Sequence, residues 1–117
     1  FSWLTGNNDM HLKNFSLYCP ADEPVLTPAY DLLNAVVSNP ADDEELALNL
    51  NGKKKRIKDA DFKAAYRMSG VPEIVFDRLK KKYVELLPKF EEEIQRSFLS
   101  EDLKASYIDL LHRRLCE

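Results

Sequence analysis

Asp9 and Asn14 stand four residues apart in the polar stretch Gly6-Asn7-Asn8-Asp9-Met10-His11-Leu12-Lys13-Asn14-Phe15. That combination can do chemistry. A carboxylate can accept a proton from an incoming hydroxyl or orient it, and an amide oxygen nearby can hold a hard divalent cation against phosphate oxygens. A second carboxylate would be needed to bridge the cation to the phosphates, and Asp31 supplies one in the stretch Leu26-Thr27-Pro28-Ala29-Tyr30-Asp31-Leu32-Leu33. Lys13 can offset charge on a transferred group or point to solvent. His11 has no second histidine beside it and no zinc spacing, which favours a hydrogen bond that shapes the loop over metal ligation.

Taken singly, these residues also suit ordinary turn chemistry, because Asn and Asp hydrogen-bond their own backbone. The spacing says more. Asp-x-x-x-x-Asn is the spacing of protein-kinase catalytic loops, and a carboxylate on a neighbouring extended segment completes the order of base, amide ligand and second carboxylate. Gly-Asn-Asn-Asp-Met-His-Leu-Lys-Asn-Phe-Ser-Leu followed by Leu-Thr-Pro-Ala-Tyr-Asp-Leu-Leu closely resembles the catalytic loop and metal-binding segment of HipA-family kinases. The Gly-Asn-x-Asp-x-His-x-Lys-Asn pattern is met position by position from Gly6, and Pro-x-Tyr-Asp is met from Pro28 to Asp31. The resemblance covers residues 1 to 70 well and then fades into a helical pattern.

The resemblance implies a mainly α fold, the helical C-terminal lobe of a protein-kinase-like architecture with short β-hairpins near the catalytic loop. It implies serine/threonine phosphorylation with ATP and Mg²⁺, usually by the growth-arresting toxin of a bacterial toxin–antitoxin pair. The expected partners are a protein substrate and a HipB-like helix-turn-helix antitoxin, with DNA engaged only through that partner. Asp9 becomes the catalytic base, His11 and Lys13 its neighbours in the catalytic set, and Asn14 and Asp31 the metal and cofactor ligands.

The elements that must position these residues divide the chain unevenly. Prolines 20, 24, 28 and 40 and Gly6 punctuate a loop-rich first half. Residues 15–18 and 25–26 read as a small hairpin. Leu46, Leu48 and Leu50 alternate before Asn51-Gly52, a tight-turn signal, so residues 46–58 read as a second hairpin with Lys53-Lys54-Lys55-Arg56 on its return strand. Lysines on a strand edge commonly block edge-to-edge pairing.

Beyond it the periodicity is helical over 59–117. Asp59 reads as the cap of a helix from Ala60 to Met68, stopped by Gly70, with Phe62, Ala65, Tyr66 and Met68 largely on one face. Pro72 suits the start of a long amphipathic helix carrying Phe76, Leu79, Tyr83, Leu86, Leu87, Phe90, Ile94 and Phe98, bent or split near Pro88. Ser100 opens a last helix, with Leu103, Tyr107, Leu110, Leu111 and Leu115 on its stripe and His112, Arg113 and Arg114 in its final turn.

The composition bounds the function. A net charge of −3 argues against a general electrostatic grip on nucleic acid. A metal-dependent nuclease would call for more clustered carboxylates or histidines. There is no apolar run of the roughly 18 residues a membrane span needs. Cys19 and Cys116 match no metal or redox spacing, which suits a cytoplasmic protein.

The chain opens on Phe1 and is short for a two-lobed phosphotransferase, so it reads as a truncation whose ATP-clamping N-terminal lobe is absent. Such a fragment is expected to be inactive alone. The alternative is a non-catalytic helical interaction module, a pseudokinase lobe that binds a regulatory partner.

Overall fold

The computed structural model describes residues 1–39 and 41–116; Pro40, read above as a loop punctuator, lies outside the described residues. The mainly α architecture is observed, with a single two-stranded antiparallel hairpin among the described residues. Helix α1 (Ser2–Thr5) leads through a 3-10 turn at Leu12–Asn14 to strands β1 (Leu17–Tyr18) and β2 (Val25–Leu26), then α2 (Ala35–Ser38). Three longer helices follow: α3 (Asp59–Met68), α4 (Glu73–Arg96) and α5 (Glu101–Cys116).

The core forms where α1 is held against α4 and α5. Leu4, Leu87, Ile94, Leu111 and Leu115 are its buried members, with Tyr83, Phe90, Tyr107 and Ile108 packed around them. Their three- and four-residue spacing along α4 and α5 puts them on one stripe of each helix. A second, aromatic cluster joins α1 to α3 and α4: the Trp3 ring lies 5.2 Å from Phe62, and Phe62 stacks on Phe76 at 5.4 Å. Arg114 of α5 lies over the Trp3 ring, its guanidinium 5.1 Å from the ring centroid. Burial pulls the Arg114 pKa down to about 10 against the pull of Glu45.

Local chemistry sets the helix ends. Lys58, not Asp59, is the N-cap residue of α3, because the Asp61 carboxylate reaches back to accept from the Lys58 N–H at 3.0 Å. At its other end Gly70 takes φ 73°, letting its N–H reach the Arg67 carbonyl (3.1 Å) and the Val71 N–H the Tyr66 carbonyl (2.9 Å). This six-to-one and five-to-two pairing needs a left-handed residue, which glycine supplies without a Cβ penalty. Met68 is 82% exposed and leaves the apolar face expected of it.

Of the two alternatives at Pro88, a bend or a split, the split is excluded: α4 is one helix of 24 residues with Pro88 inside it. Pro88 removes one donor, and both it and Val84, whose carbonyl lies one turn earlier, are exposed, so water can take that bond. Phe98 lies beyond the end of α4 and is fully exposed, outside the stripe its spacing suggested.

The hairpin expected over 46–58 shrinks to a turn. Asn51 (φ 51°) and Gly52 (φ 74°) adopt the positive-φ pair that a two-residue turn demands, yet Leu50 and Lys53 form a single bridge. The return segment bends away because Arg56 is also left-handed (φ 54°), its N–H captured by the Glu45 carboxylate at 2.6 Å. Ala47 is therefore buried, while Leu48 points outward.

The radius of gyration is 15.5 Å, above the ~13 Å of a compact chain of about 100 residues. The β1–β2 hairpin fits that openness. Leu17 pairs with Leu26 and Tyr18 with Val25, and all four side chains are exposed, on both faces of the ribbon. No helix among the described residues is long and apolar enough to cross a membrane, and the cysteines are free and exposed.

Candidate active site

The site begins with Gly6. Its left-handed backbone (φ 74°) ends α1 and turns the chain so that Asn7 points inward, 1% exposed. The Gly6 carbonyl then accepts from the N–H groups of both Ala35 and Val36 at 3.0 Å. Those bonds bring the segment after Asp31 back onto the loop that precedes Asp9. Asn34, the N-cap of α2, accepts from the Val37 N–H at 2.9 Å and sits directly over Gly6.

Asn7 holds the two motifs together. Its side-chain oxygen accepts from the Asp9 N–H (3.2 Å), and its amide nitrogen donates to the Asp31 carbonyl (3.3 Å). The first bond is an Asx turn, in which an asparagine side chain stands in for a backbone carbonyl two residues ahead. Sequence reasoning used Asn7 only as part of the motif. The signal was available, since Asn followed two residues later by a loop Asp is that turn's pattern.

Asn14 repeats the arrangement one turn later. It is 6% exposed, accepts from the His11 N–H at 3.1 Å, and donates from Nδ2 to Asp31 Oδ2 at 2.8 Å. The bond spans 17 residues and joins the two motifs side chain to side chain. Asp31 is exposed and takes φ 56°, a conformation that Asp tolerates better than most residues. Tyr30 beside it donates to the Lys13 carbonyl (3.1 Å) and shares a hydrogen bond with Ser16 (2.8 Å), tying the first motif to the second a third time.

Asp9 and His11 face solvent together, Asp9 Oδ1 3.3 Å from His11 Nε2. Lys13 is exposed, and its ammonium makes no ion pair among the described residues. With His11, Leu12 and Leu48 it lines an open surface hollow. The five residues singled out by the sequence thus gather on one loop and the segment facing it, Asn14 and Asp31 in contact, Asp9 and His11 in contact.

The donor set suits a hard cation shared with another anion. Asp31 offers carboxylate oxygens, and the Asn14 oxygen keeps a second lone pair beyond the one used by His11. No group of three or more His, Cys, Asp or Glu that could form a closed metal cage occurs among the described residues.

Behind the loop lies a second polar knot that sequence reasoning missed. Asp61, 3% exposed, accepts from Lys53 (2.8 Å), from Asn51 (2.9 Å) and from the Lys58 N–H. Those donors, the Lys53 ammonium first and Asn51 next, hold its carboxyl at about 2, well below the usual range. Lys54 and Lys55 likewise meet Glu44 (3.3 Å) and Asp43 (2.6 Å). The three lysines of the basic run are therefore paired internally rather than presented along a strand edge.

Comparison with known proteins adds relatives. The model of the HipA-like C-terminal domain family matches residues 1–97. A protein of Sinorhizobium fredii (strain NBRC 101917 / NGR234), named as a candidate kinase, Y4dM, is 50% identical over 56 residues, which are 47% of this chain and 13% of that protein. The fold superposes on a chain from the toxin–antitoxin complex of HipA, HipB and operator DNA of Shewanella oneidensis MR-1 with a TM-score of 0.79 at 25% identity. That match covers 97% of this chain and 28% of the other. The chain thus spans well under half the length of these relatives.

Proposed function

The chain belongs to the HipA-like C-terminal domain family, and from that premise we propose that it is the metal-binding catalytic lobe of a serine/threonine protein kinase. The observation that carries this reading is the Asn14–Asp31 contact at 2.8 Å, beside an Asp9 whose backbone is pinned by the buried Asn7. Phosphoryl transfer asks little covalent chemistry of a protein and depends on positioning and charge, which is what these contacts provide.

In this reading Asp9 orients the substrate hydroxyl and takes its proton as the hydroxyl oxygen bonds to the γ-phosphorus of ATP. The bond from that phosphorus to the β,γ-bridging oxygen breaks, and ADP leaves. Asn14 and Asp31 would hold Mg²⁺, which when bound supplies neutralisation of the phosphate charge. His11 keeps Asp9 in place through their shared contact, and Lys13, with no ion-pair partner among the described residues, faces the charge of the transferred group. The nucleotide clamp of such an enzyme would come from the longer protein, so this chain alone is inactive.

The same reading makes the whole protein a growth-arresting toxin. Its partner is a HipB-like helix-turn-helix antitoxin, and DNA is met only through it, in the cytoplasm. The solved relative's complex with HipB and operator DNA supports that assignment by likeness.

One observation favours a second reading, a non-catalytic module that docks on a partner: both faces of the β1–β2 ribbon are apolar and exposed. Labelled phosphate separates the two. The full-length protein carrying this chain should transfer label from Mg-ATP to itself or to a protein, and Asp9→Ala, Asp31→Ala and the isolated chain should not. A folded but inert parent, or full activity in the Asp9→Ala protein, would remove the kinase reading and leave the docking module.

A further inference from the structure

Between the buried Asn7 and Asp9 stands Asn8, and its side chain goes the other way. The Asn8 amide nitrogen donates to Asp42 Oδ2 (3.2 Å) and to the Glu44 carbonyl (2.9 Å), residues that follow Asp31 in the chain. Asp42 is itself ordered, its other oxygen accepting from the Glu44 N–H at 3.0 Å.

The acidic segment that Asn8 grips is held from behind by the basic turn. Asp43 meets Lys55 and Glu44 meets Lys54, while the N–H groups of Glu45 and Leu46 both reach the Lys54 carbonyl (2.7 and 3.2 Å). Glu45 Oε1 accepts from the Arg56 N–H, and its Oε2 accepts from the Trp3 indole, each at 2.6 Å. The turn is anchored in turn to α3 through Asp61, by Lys53 and Asn51. One chain of polar contacts therefore runs from α3 through the basic turn and the acidic segment to Asn8, one Cα step of about 3.8 Å from Asp9.

We infer that Asn8 is a positioning residue for Asp9: it couples the catalytic loop to the acid–base clamp of residues 42–56, which sets the loop's geometry from outside the site. The inference rests on the kinase reading for its consequence, though not for the coupling itself. The clamp's ion pair of Lys55 with Asp43 is exposed and that of Lys54 with Glu44 is half-buried, which makes the coupling sensitive to salt and to any partner that competes for those charges.

The test uses the full-length protein. Asn8→Ala and Asp42→Ala should each lower kcat about tenfold or more, because small displacements of a reacting group cost that much. KM for ATP should stay within about twofold, as expected when positioning rather than nucleotide binding is lost. The double variant should lose less than the sum of the two single losses, since both remove the bond between Asn8 and Asp42. Asp42→Asn, whose amide oxygen can still accept from Asn8, should keep most of the rate, whereas Asn8→Asp sets a carboxylate against both the Asp42 carboxylate and the Glu44 carbonyl and should be slow.

A readout independent of activity is amide hydrogen exchange. Lys55→Glu, which touches only the clamp, should speed exchange at residues 7–11 as well as at 42–46. Additive losses in the double variant, an unchanged kcat in Asn8→Ala, or faster exchange confined to 42–46 in Lys55→Glu would each overturn the inference. A wild-type parent that transfers no phosphate refutes the kinase reading instead, and the exchange result then upholds or overturns the coupling by the same criterion.

Discussion

Gly6→Ala tests whether the close approach at the head of the site is as tight as it looks. Gly6, Gly52 and Gly70 share nearly one backbone conformation, at φ 74°, 74° and 73°. An alanine at any of them bears the left-handed strain of an L residue, roughly 1–2 kcal/mol. Each also gains the same small offset from a stiffer unfolded chain. Their surroundings differ completely. A Cβ at Gly52 or Gly70 meets nothing within 4 Å, whereas at Gly6 it comes to 2.7 Å from Asn34 Oδ1 and 2.8 Å from Leu110 Cδ2.

Neither neighbour at Gly6 can yield freely. Leu110 is 3% exposed in packed surroundings, and Asn34 caps α2. Overpacking of this kind costs about 1–3 kcal/mol, so Gly6→Ala should lose about 2–5 kcal/mol in all, against about 1–2 for Gly52→Ala and Gly70→Ala. Urea denaturation followed by the fluorescence of Trp3, the sole tryptophan, measures all three. The midpoints should move with unchanged slope. If Gly6→Ala lies within about 0.5 kcal/mol of Gly52→Ala, below the ~1 kcal/mol floor expected of overpacking, the packing argument for how α1 meets Asn34 is wrong.

Asp61 predicts acid behaviour. Its carboxyl pKa is depressed to about 2, so the stability it lends is complete above the ordinary carboxylate pKa of about 3.9 and is lost as pH falls through 2. Asp61→Asn should be less stable at neutral pH and should show a shallower stability loss between about pH 4 and pH 2 in pH-dependent denaturation. Leu111→Ala, at a site 2% exposed in the core, should cost about 2–5 kcal/mol by the same urea assay. Phe98→Ser should shift stability by no more than about 0.5 kcal/mol, since that ring touches solvent on all sides.

Much of the architecture was legible because it follows from periodicity. The stripes on α4 and α5, the β1–β2 pairing and the Asn51-Gly52 turn all come from local spacing and turn chemistry. The misplacements arose where a side chain outcompeted the pattern. Asp61, not Asp59, satisfies the head of α3 because its carboxylate also meets Lys53 and Asn51. The strand expected from Leu46, Leu48 and Leu50 fails because Glu45 captures the Arg56 N–H and bends the return segment.

At the site the motif spacing found Asp9, His11, Lys13, Asn14 and Asp31, and the structure brings them to one loop and the segment facing it. What spacing could not supply was the framework: Asn7 and Asn8, adjacent and identical in type, whose side chains serve opposite directions.

Asp31 carries a consequence for anyone who engineers this chain. Its φ of 56° is a conformation that glycine and asparagine adopt at least as readily as aspartate, whereas a cation site needs the carboxylate. Glycine would leave the buried Asn14 amide unpaired, whereas asparagine keeps an oxygen for it, so selection for yield or heat tolerance alone would not oppose a drift to Asn at this position. On the kinase reading proposed above, a screen that includes a phosphate-transfer readout on the full-length protein would retain the aspartate, and position 31 would serve as its internal control for whether function was being selected at all.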